Sequence, residues 1–372
     1  MKLIAKSPCR VDLAGGTLDI WPLYLNHPGA VTVNFAVNLY THATVATRED
    51  GRIVLESKDQ QAWEEFSSLA ELLAARRYRL PLLAYALRWY RPAMGLSLTT
   101  HSEAPAGAGI SGSSSLLITL GAALNQLTGR RYPLEKVREV AQNIEAQIIQ
   151  VPTGCQDYYP AMYGRVSAVE LSCEGIARKE IPVSHEEIAA RGVLVYTGKP
   201  RNSGINNWEV TKAYIDGDKT VRRNFDKISA IANAMRAALE TADFDEAGRL
   251  LREEWSFRRR NAPTISTELI DAIAEKSRKA GAMGMKVCGA GGGGCVFLLV
   301  KPGAKARVEE TIRSLGAEVL PFAVAPSGVT LDGFWYDEKY SAADGQPGAY
   351  AVGGTFDATT YDGGEQFILT GS

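Results

Sequence analysis

The sequence predicts an α+β chain of two domains, on three observations. Short apolar stretches separated by turn residues open the chain and mark an antiparallel β beginning. Helical periodicities dominate from Lys219 to Ala280, and an apolar strand follows near Gly294 to Val300. The 372 residues, 45% hydrophobic and 22% charged, can furnish two substantial cores.

Taken in order, strands are predicted at Leu3–Ala5, Val31–Val37, Thr41–Thr47 and Ile53–Glu56, the last two joined through Glu49-Asp50-Gly51. Ser68–Tyr90 reads as one helix and Gly95–Thr100 as a strand. Ser113–Thr128 and Pro133–Ile149 read as helices, with Pro133 in a first turn where its missing N–H costs nothing. Val166–Leu171 returns to strand within a first unit, 1–185. A second unit, 186–335, begins with the strand Val193–Tyr196 and continues through helices at Lys219–Glu240, Asp243–Arg260 and Ser266–Ala280. The strand near Gly294–Val300, a helix within Gly303–Gly316 and a further strand complete it. The remainder, 336–372, is rich in Gly, Asp, Tyr and Thr and reads as a C-terminal extension, either a hairpin on the second unit or a subunit contact.

A formal net charge of −1 gives no electrostatic case for nucleic acid or an anionic membrane. The run Arg258-Arg259-Arg260 reads as a solvated helix face, contact with a substrate phosphate being the alternative. Five cysteines without CxxC spacing, beside four histidines, argue against a zinc site or a disulfide framework. Cys9, Cys155 and Cys288 read as small buried filler. With no signal-peptide pattern and no apolar run of ~18 residues, the expectation is a cytoplasmic monomer or homodimer acting on a small molecule.

The run Glu103–Leu117, EAPAGAGISGSSSLL, joins a glycine-rich turn to a serine-rich segment and an apolar helix. Such a segment suits an anion. Glycines let backbone N–H groups turn toward a phosphate, and the helix N-terminus adds unpaired donors and partial positive charge. Pro105, Gly107, Ala108, Gly109, Ile110, Ser111, Gly112, Ser113 and Ser114 are the candidate nucleotide contacts, with helix capping the expected task of Ser111, Ser114 and Ser115. A flexible Gly/Ser turn is the alternative. No GxxxxGK[ST] occurs, and no strand-linked GxGxxG followed by an acidic ribose ligand supports a dinucleotide site. Two further segments bear on the choice: Ser7–Asp19, SPCRVDLAGGTLD, and Lys286–Phe297, KVCGAGGGGCVF.

In this order the three segments resemble the motifs of the GHMP kinases, the superfamily of galactokinase, homoserine kinase, mevalonate kinase and phosphomevalonate kinase, and the resemblance spans residues 1 to 335. Within it the chain is similar to the sugar kinases typified by D-glycero-D-manno-heptose 7-phosphate kinase, with glucuronokinase and the fucokinase domain nearby. RVDLAGGTLDIWPL resembles that group's RISFAGGGTDLP, and Ile144-Glu145 and Gln156-Asp157 keep its Glu to Gln-Asp spacing. Tyr196-Thr197-Gly198 precedes a segment with Arg201 and Ser203, and Trp255 with its following arginines precedes the third motif. Thr17-Leu18 stands for the usual Gly-Thr, Cys155 for a lysine and Arg165 for a glycine, which leaves the acceptor open.

The resemblance implies an N-terminal domain like ribosomal protein S5 domain 2, a ferredoxin-like C-terminal domain, and a cleft between them for nucleotide and substrate. It implies ATP and Mg²⁺, and phosphoryl transfer to a hydroxyl, the anomeric O1, of a sugar or sugar phosphate, a heptose 7-phosphate-like acceptor being preferred. That chemistry asks for an anion loop, metal ligands, a cation and a carboxylate near the acceptor hydroxyl. By resemblance Asp157 is the catalytic base, with turn capping the alternative, and Arg10 keeps it ionised and offsets transition-state charge. Ser113 and Glu145 are the implied Mg²⁺ ligands. Asp19, Gly16, Thr17 and Gly154 line the acceptor wall, Asp19 alternatively capping Ile20–Leu25, and Arg201 and Ser203 hold a distal group. A mevalonate-type kinase, a non-catalytic nucleotide- or small-molecule-binding regulator and a decarboxylase of the same fold are the competing functions. The first motif lacks the lysine-and-histidine form usual in mevalonate kinases.

Overall fold

The computed structural model describes residues 1–199, 203–332 and 334–335, without the side chains of 203–206 and 334–335, so Arg201, the Ser203 side chain and the extension 336–372 lie outside the described residues. The chain runs β1 (Lys2–Ala14), β2 (Ala30–Arg48), β3 (Ile53–Ser57), β4 (Ala62–Phe66), α1 (Leu69–Ala74), α2 (Pro81–Tyr90), β5 (Gly95–Ser102), α3 (Gly112–Leu127), α4 (Leu134–Ile149), α5 (Tyr158–Tyr163), β6 (Val166–Ser172) and β7 (Gly175–Glu180). It continues α6 (His185–Arg191), β8 (Gly192–Tyr196), α7 (Ser203–Ile215), α8 (Lys219–Glu240), α9 (Phe244–Arg258), α10 (Glu268–Ala280), β9 (Ala282–Val287), β10 (Cys295–Val300), α11 (Lys305–Ser314), β11 (Glu318–Leu320), β12 (Thr330–Leu331) and β13 (Phe334–Trp335).

A first sheet has the order β13-β12-β1-β2-β5-β3-β4, with β6 and β7 branching from β2. The strands expected at Val31–Val37 and Thr41–Thr47 are one strand. β2 pairs with β1 along both halves, while its other edge changes partner from β6 (Ala30 to Phe35) to β5 (Thr41 to Arg48). The β1–β2 register slips between Pro8 and Cys9, where proline has no N–H to give the ladder.

The single helix expected at Ser68–Tyr90 is two. Ala75 leaves α1 in an extended conformation, φ −66° and ψ 139°, and Pro81 holds Leu80 out of the helical region at φ −118°, ψ 71°. The carboxylate of Glu64 accepts the Arg79 and Leu80 N–H groups at 3.0 and 2.8 Å, which fixes the break.

α2, α3 and α4 share one core with the first sheet, Leu87, Leu117, Leu120 and Val137 packing with Val45, Leu96 and Leu98. α3 is buried nearly all round, so its hydroxyls must find partners inside. Ser115 donates to the Ser7 carbonyl at 3.1 Å, and Thr41 lies 2.8 Å from both the Ser115 and Thr119 hydroxyls. These bonds seat α3 against β1 and β2 and so fix the loop that precedes it.

A second, antiparallel sheet has the order β11-β8-β10-β9. Every residue of β10 is buried, and its sides alternate as a strand requires. Phe297 and Leu299 pack with Val33, Phe35, Ile231 and Leu251, tying the two sheets together through α8 and α9. Val296 and Leu298 pack with Ile270, Ile273, Val308 and Ile312 of α10 and α11. After β11 the chain returns to the first sheet, where β12 pairs with β1 through Ala5 and Lys6, so Thr330–Leu331 and Phe334–Trp335 lie on that sheet rather than on the second.

Candidate active site

A cleft of about 290 Å³ is lined by the 105–113 loop, Arg10, Asp12, the Gly16–Ile20 segment, Glu145, the Pro152–Asp157 segment, Asn207, Arg258 and Gly289-Ala290. Every candidate site residue described lines it except Ser114, which is buried behind it.

The serine loop ends in an uncapped helix. Ser111 is the N-cap of α3 but has a left-handed backbone, φ 64° and ψ 35°, instead of the extended conformation that aims a capping hydroxyl at the first turn. Among the described residues its buried hydroxyl meets no partner, Ser114 is committed to Glu145 and Ser115 to Ser7, so the capping expected of all three is not their task. The N–H groups of the first turn are left without side-chain caps at the positive end of the helix dipole. Among the described residues, and apart from its chain neighbours and its own helix, nothing would approach a Cβ on Gly112 more closely than the Ser102 hydroxyl at 4.0 Å, so there is room beside those groups.

The third motif docks on this loop through its backbone. Cys295 donates its N–H to the Ala108 carbonyl at 2.6 Å, and a Cβ on Gly294 would lie 2.6 Å from the same oxygen. With φ +73° at Gly294 as well, Gly294→Ala is expected to cost about 2 kcal/mol or more, from left-handed strain and displaced backbone. A chemical-denaturation midpoint equal to that of the parent would refute the close approach.

Arg10 is buried and joins all three motifs. Its Nε and Nη2 donate to Asp157 Oδ1 at 2.9 and 2.7 Å, and its Nη1 donates to the Gly109 carbonyl at 3.1 Å and to the carbonyl of Cys288. Burial opposes the guanidinium charge, but Asp157 and Asp12 outweigh it and hold Arg10 above its ordinary value. Asp157 is the N-cap of α5 by position, yet its side chain makes no capping bond, so its carboxylate serves Arg10 and the cleft.

Glu145, on α4, is also buried. Ser113 donates to its Oε1, while Ser114 and the Tyr158 hydroxyl donate to Oε2 at 2.8 and 2.5 Å. Burial raises the pKa of this carboxyl above the ordinary range even against those three donors. Among the described residues no cluster of three or more His, Cys, Asp or Glu side chains forms a metal cage.

Asp19 accepts the Gln156 N–H at 2.9 Å, and a Cβ on Gly154 would lie 2.0 Å from its Oδ2. Gly154 therefore makes room for the carboxylate, which crosses to the Gln156 backbone. The short 3-10 turn at Leu23–Asn26 has Pro22 as its N-cap and no side-chain cap, so the capping alternative for Asp19 falls away. Gly16 has the same task toward Asp12, whose Oδ2 lies 2.3 Å from where its Cβ would be. Burial, and then the neighbouring Asp157 carboxylate, push the Asp19 carboxyl up to about 7. The folded protein thus keeps a proton that the unfolded chain releases near pH ~4. Stability of the ligand-free protein should fall as pH rises from about 4 through about 7, then level off. Asp19→Asn is expected to flatten that part of a plot of Tm against pH; an unchanged slope would place the proton elsewhere.

Four buried charges behind the Gly16 wall were not anticipated. Lys286 Nζ meets Asp12 Oδ2 at 2.6 Å and lies 3.8 Å from Glu254 Oε1, which accepts Arg258 Nε and Nη2 at 2.9 and 2.7 Å. Arg258 then donates from Nη2 to the Gly16 carbonyl at 2.6 Å and from Nη1 to the Thr17 hydroxyl at 3.2 Å. The expected solvated face thus holds only for Arg259 and Arg260, while Arg258 is 4% exposed. The available signal was a lone lysine in the otherwise apolar strand β9. Cys9, Cys155 and Cys288 are buried as expected, and burial pushes the Cys9 thiol up to about 12, away from nucleophilic chemistry.

Family models agree with this architecture: that for the GHMP kinases N terminal domain matches residues 75–165, and that for the GHMP kinases C terminal matches 235–318. The chain is 27% identical over 337 residues to D-glycero-alpha-D-manno-heptose 7-phosphate kinase of Campylobacter jejuni, covering 88% of this chain and 98% of that one. It is 26% identical over 346 residues to L-fucokinase/L-fucose-1-P guanylyltransferase of Bacteroides fragilis, covering 82% of this chain and 35% of that larger protein. The crystal structure of a D-glycero-D-manno-heptose 1-phosphate kinase from Bacteroides thetaiotaomicron superposes with a TM-score of 0.71 at 23% identity, over 90% of this chain and 99% of that one. With both domains matched and the three motifs meeting at one cleft, the chain belongs to the GHMP kinases and is an enzyme of that phosphoryl-transferring family.

Proposed function

We propose that this kinase transfers the γ-phosphoryl group of Mg²⁺-ATP to a hydroxyl of a sugar or sugar phosphate, the anomeric O1, with a heptose 7-phosphate-like aldose the preferred acceptor. The observation that carries this reading is Arg10, whose single guanidinium holds Asp157, the Gly109 carbonyl of the loop and the Cys288 carbonyl of the third motif. A carboxylate for the acceptor and a cradle for the phosphates are thereby fixed to one rigid group, which is what in-line transfer requires. The uncapped N–H groups of Gly112, Ser113 and Ser114 receive the phosphates. Asp157 takes or steers the proton of the attacking hydroxyl, Arg10 offsets the charge that develops, and Asp19 with the Gly16–Thr17 wall orients the polyol.

Glu145 and Ser113 are the residues that would hold Mg²⁺. One buried carboxylate and a cleft-lining hydroxyl are hard oxygen donors, and they fit an ion that keeps most of its waters and takes its other ligands from the nucleotide. When bound, the ion supplies neutralisation of phosphate charge. Glu145→Gln is expected to raise the Mg²⁺ concentration at half-maximal rate by about tenfold or more at fixed ATP, the loss of a charge-assisted contact. A superimposable Mg²⁺ titration would remove Glu145 from the metal site.

Action in the cytoplasm on a free small molecule, as a monomer or homodimer, belongs to the same proposal. Its support is that all five cysteines are free thiols, as a reducing compartment keeps them. Among the described residues no helix is long and apolar enough to cross a membrane. The test of function is ADP release with Mg²⁺-ATP against free aldoses, uronic acids, heptose 7-phosphate and mevalonate, with the product read by phosphorus NMR. An O1-phosphate of one sugar bears the reading out; turnover of mevalonate alone overturns it.

A further inference from the structure

Thr17 has φ +75°, a left-handed conformation that a β-branched residue adopts only under strain. Such strain persists where surrounding contacts over-determine it, and here they do. Thr17 is only partly buried, lines the cleft, accepts Arg258 Nη1 at 3.2 Å and points its own proton at Asn207 Oδ1, 3.5 Å away. Arg258 is itself immobilised by Glu254 and by the Gly16 carbonyl, so the Thr17 oxygen is held from α9 while its proton faces α7. The 3.5 Å separation from Asn207 is at the outer limit of a hydrogen bond and weak as it stands. Asn207 lines the same cleft.

We propose that Thr17 is a specificity-determining residue, whose hydroxyl and the Asn207 amide together bind one hydroxyl of the sugar acceptor other than the one phosphorylated. This rests on the sugar-kinase reading of the cleft. The acceptor hydroxyl inserts into the loose Thr17–Asn207 contact, accepting a hydrogen bond from the Thr17 hydroxyl and donating one to Asn207 Oδ1, while Arg258 keeps the Thr17 oxygen in place. A threonine methyl in a strained backbone has no structural use that glycine would not serve better, whereas a fixed hydroxyl on the acceptor wall reads the stereochemistry of a polyol.

The experiment compares the parent enzyme with Thr17→Gly and Thr17→Ser on its best sugar acceptor and on that sugar's monodeoxy analogues. Thr17→Gly is expected to melt at or above the parent temperature, since glycine relieves the strain, and to keep the ATP KM. Its acceptor KM should rise about tenfold, the worth of one substrate hydrogen bond. Thr17→Ser should recover most of that loss. One deoxy analogue should be poor for the parent and no worse than the full sugar for Thr17→Gly. An unchanged acceptor KM in Thr17→Gly, or an equal loss across all analogues, overturns the proposal while leaving the kinase reading intact. A parent enzyme that phosphorylates no sugar, yet phosphorylates another alcohol, overturns both.

Discussion

Replacing Asp157 by alanine is expected to lower kcat by about 10³-fold or more while leaving ATP affinity within about twofold, because a positioned proton acceptor contributes on the order of 10² to 10⁴. Both Arg10 contacts fall on Oδ1, and among the described residues no donor meets Oδ2. The carboxylate is thus anchored by one oxygen and offers the other, from a side chain 26% exposed, to the cleft. The loop proposed to receive the nucleotide is held independently, by the Ser115–Ser7 bond under α3 and by the Cys295 N–H on Ala108. Asp157→Asn separates the two tasks open to this residue. It keeps an oxygen for Arg10 and for steering, but cannot take a proton. A loss as large as that of alanine identifies proton transfer, and a mild loss identifies orientation. Single-turnover ADP release and calorimetric ATP binding on the same preparations give both numbers, and full activity in the alanine variant would remove Asp157 from the mechanism.

The parts of this site that were legible in the sequence are those whose chemistry is local. A glycine-serine run before an apolar helix, and a Gln-Asp pair after a turn, declare themselves within a dozen residues, and Arg10, Ser113, Glu145 and Asp157 line one cleft in the structure. The Asp12–Lys286 pair joins β1 to β9 across most of the chain, and no local pattern announces such a partner. The arginine triplet illustrates the same limit at short range. Composition made its members equivalent, but Arg258 follows Glu254 by one helical turn and shares its inward face, while the next two residues rotate away to solvent. In the fold, the Ser68–Tyr90 periodicity continued through a break at Ala75 to Leu80 that Pro81 and a distant Glu64 carboxylate help to impose. β2 was halved because a strand that changes partners along one edge carries two sequence patterns. Ser111 was assigned to capping by residue type and Thr17 to the acceptor wall by resemblance, and neither route indicates the left-handed backbone that each adopts.

Lys286→Met is expected to destabilise the protein by about 3 to 5 kcal/mol, the cost of stranding a buried charge after its partner is removed. Lys286 and Asp12 are 0% and 1% exposed as side chains, and among the described residues Asp12 Oδ1 and Glu254 Oε2 are already buried without partners, so the freed carboxylate joins an already under-satisfied cluster. Burial alone would raise the Asp12 pKa, but Lys286, then Arg258 and Arg10, pull it below the ordinary value. A lowered carboxyl contributes stability above its unfolded value that disappears as pH falls through the folded one. The parent should therefore lose stability below pH ~4, and Lys286→Met should lack that acid limb because the contribution is already gone. The double variant Asp12→Asn/Lys286→Met removes both charges and should be more stable than Lys286→Met alone, the sign of a direct coupling. If the two losses simply add in denaturation experiments, the pair is not coupled. The consequence reaches the chemistry, because Glu254 shares its oxygen between Lys286 and the arginine that holds the Gly16 carbonyl and the Thr17 hydroxyl. Whatever folded fraction of Lys286→Met survives should bind ATP normally and acceptor poorly, since the proposed phosphate loop is anchored elsewhere and the proposed acceptor wall rests on these charges.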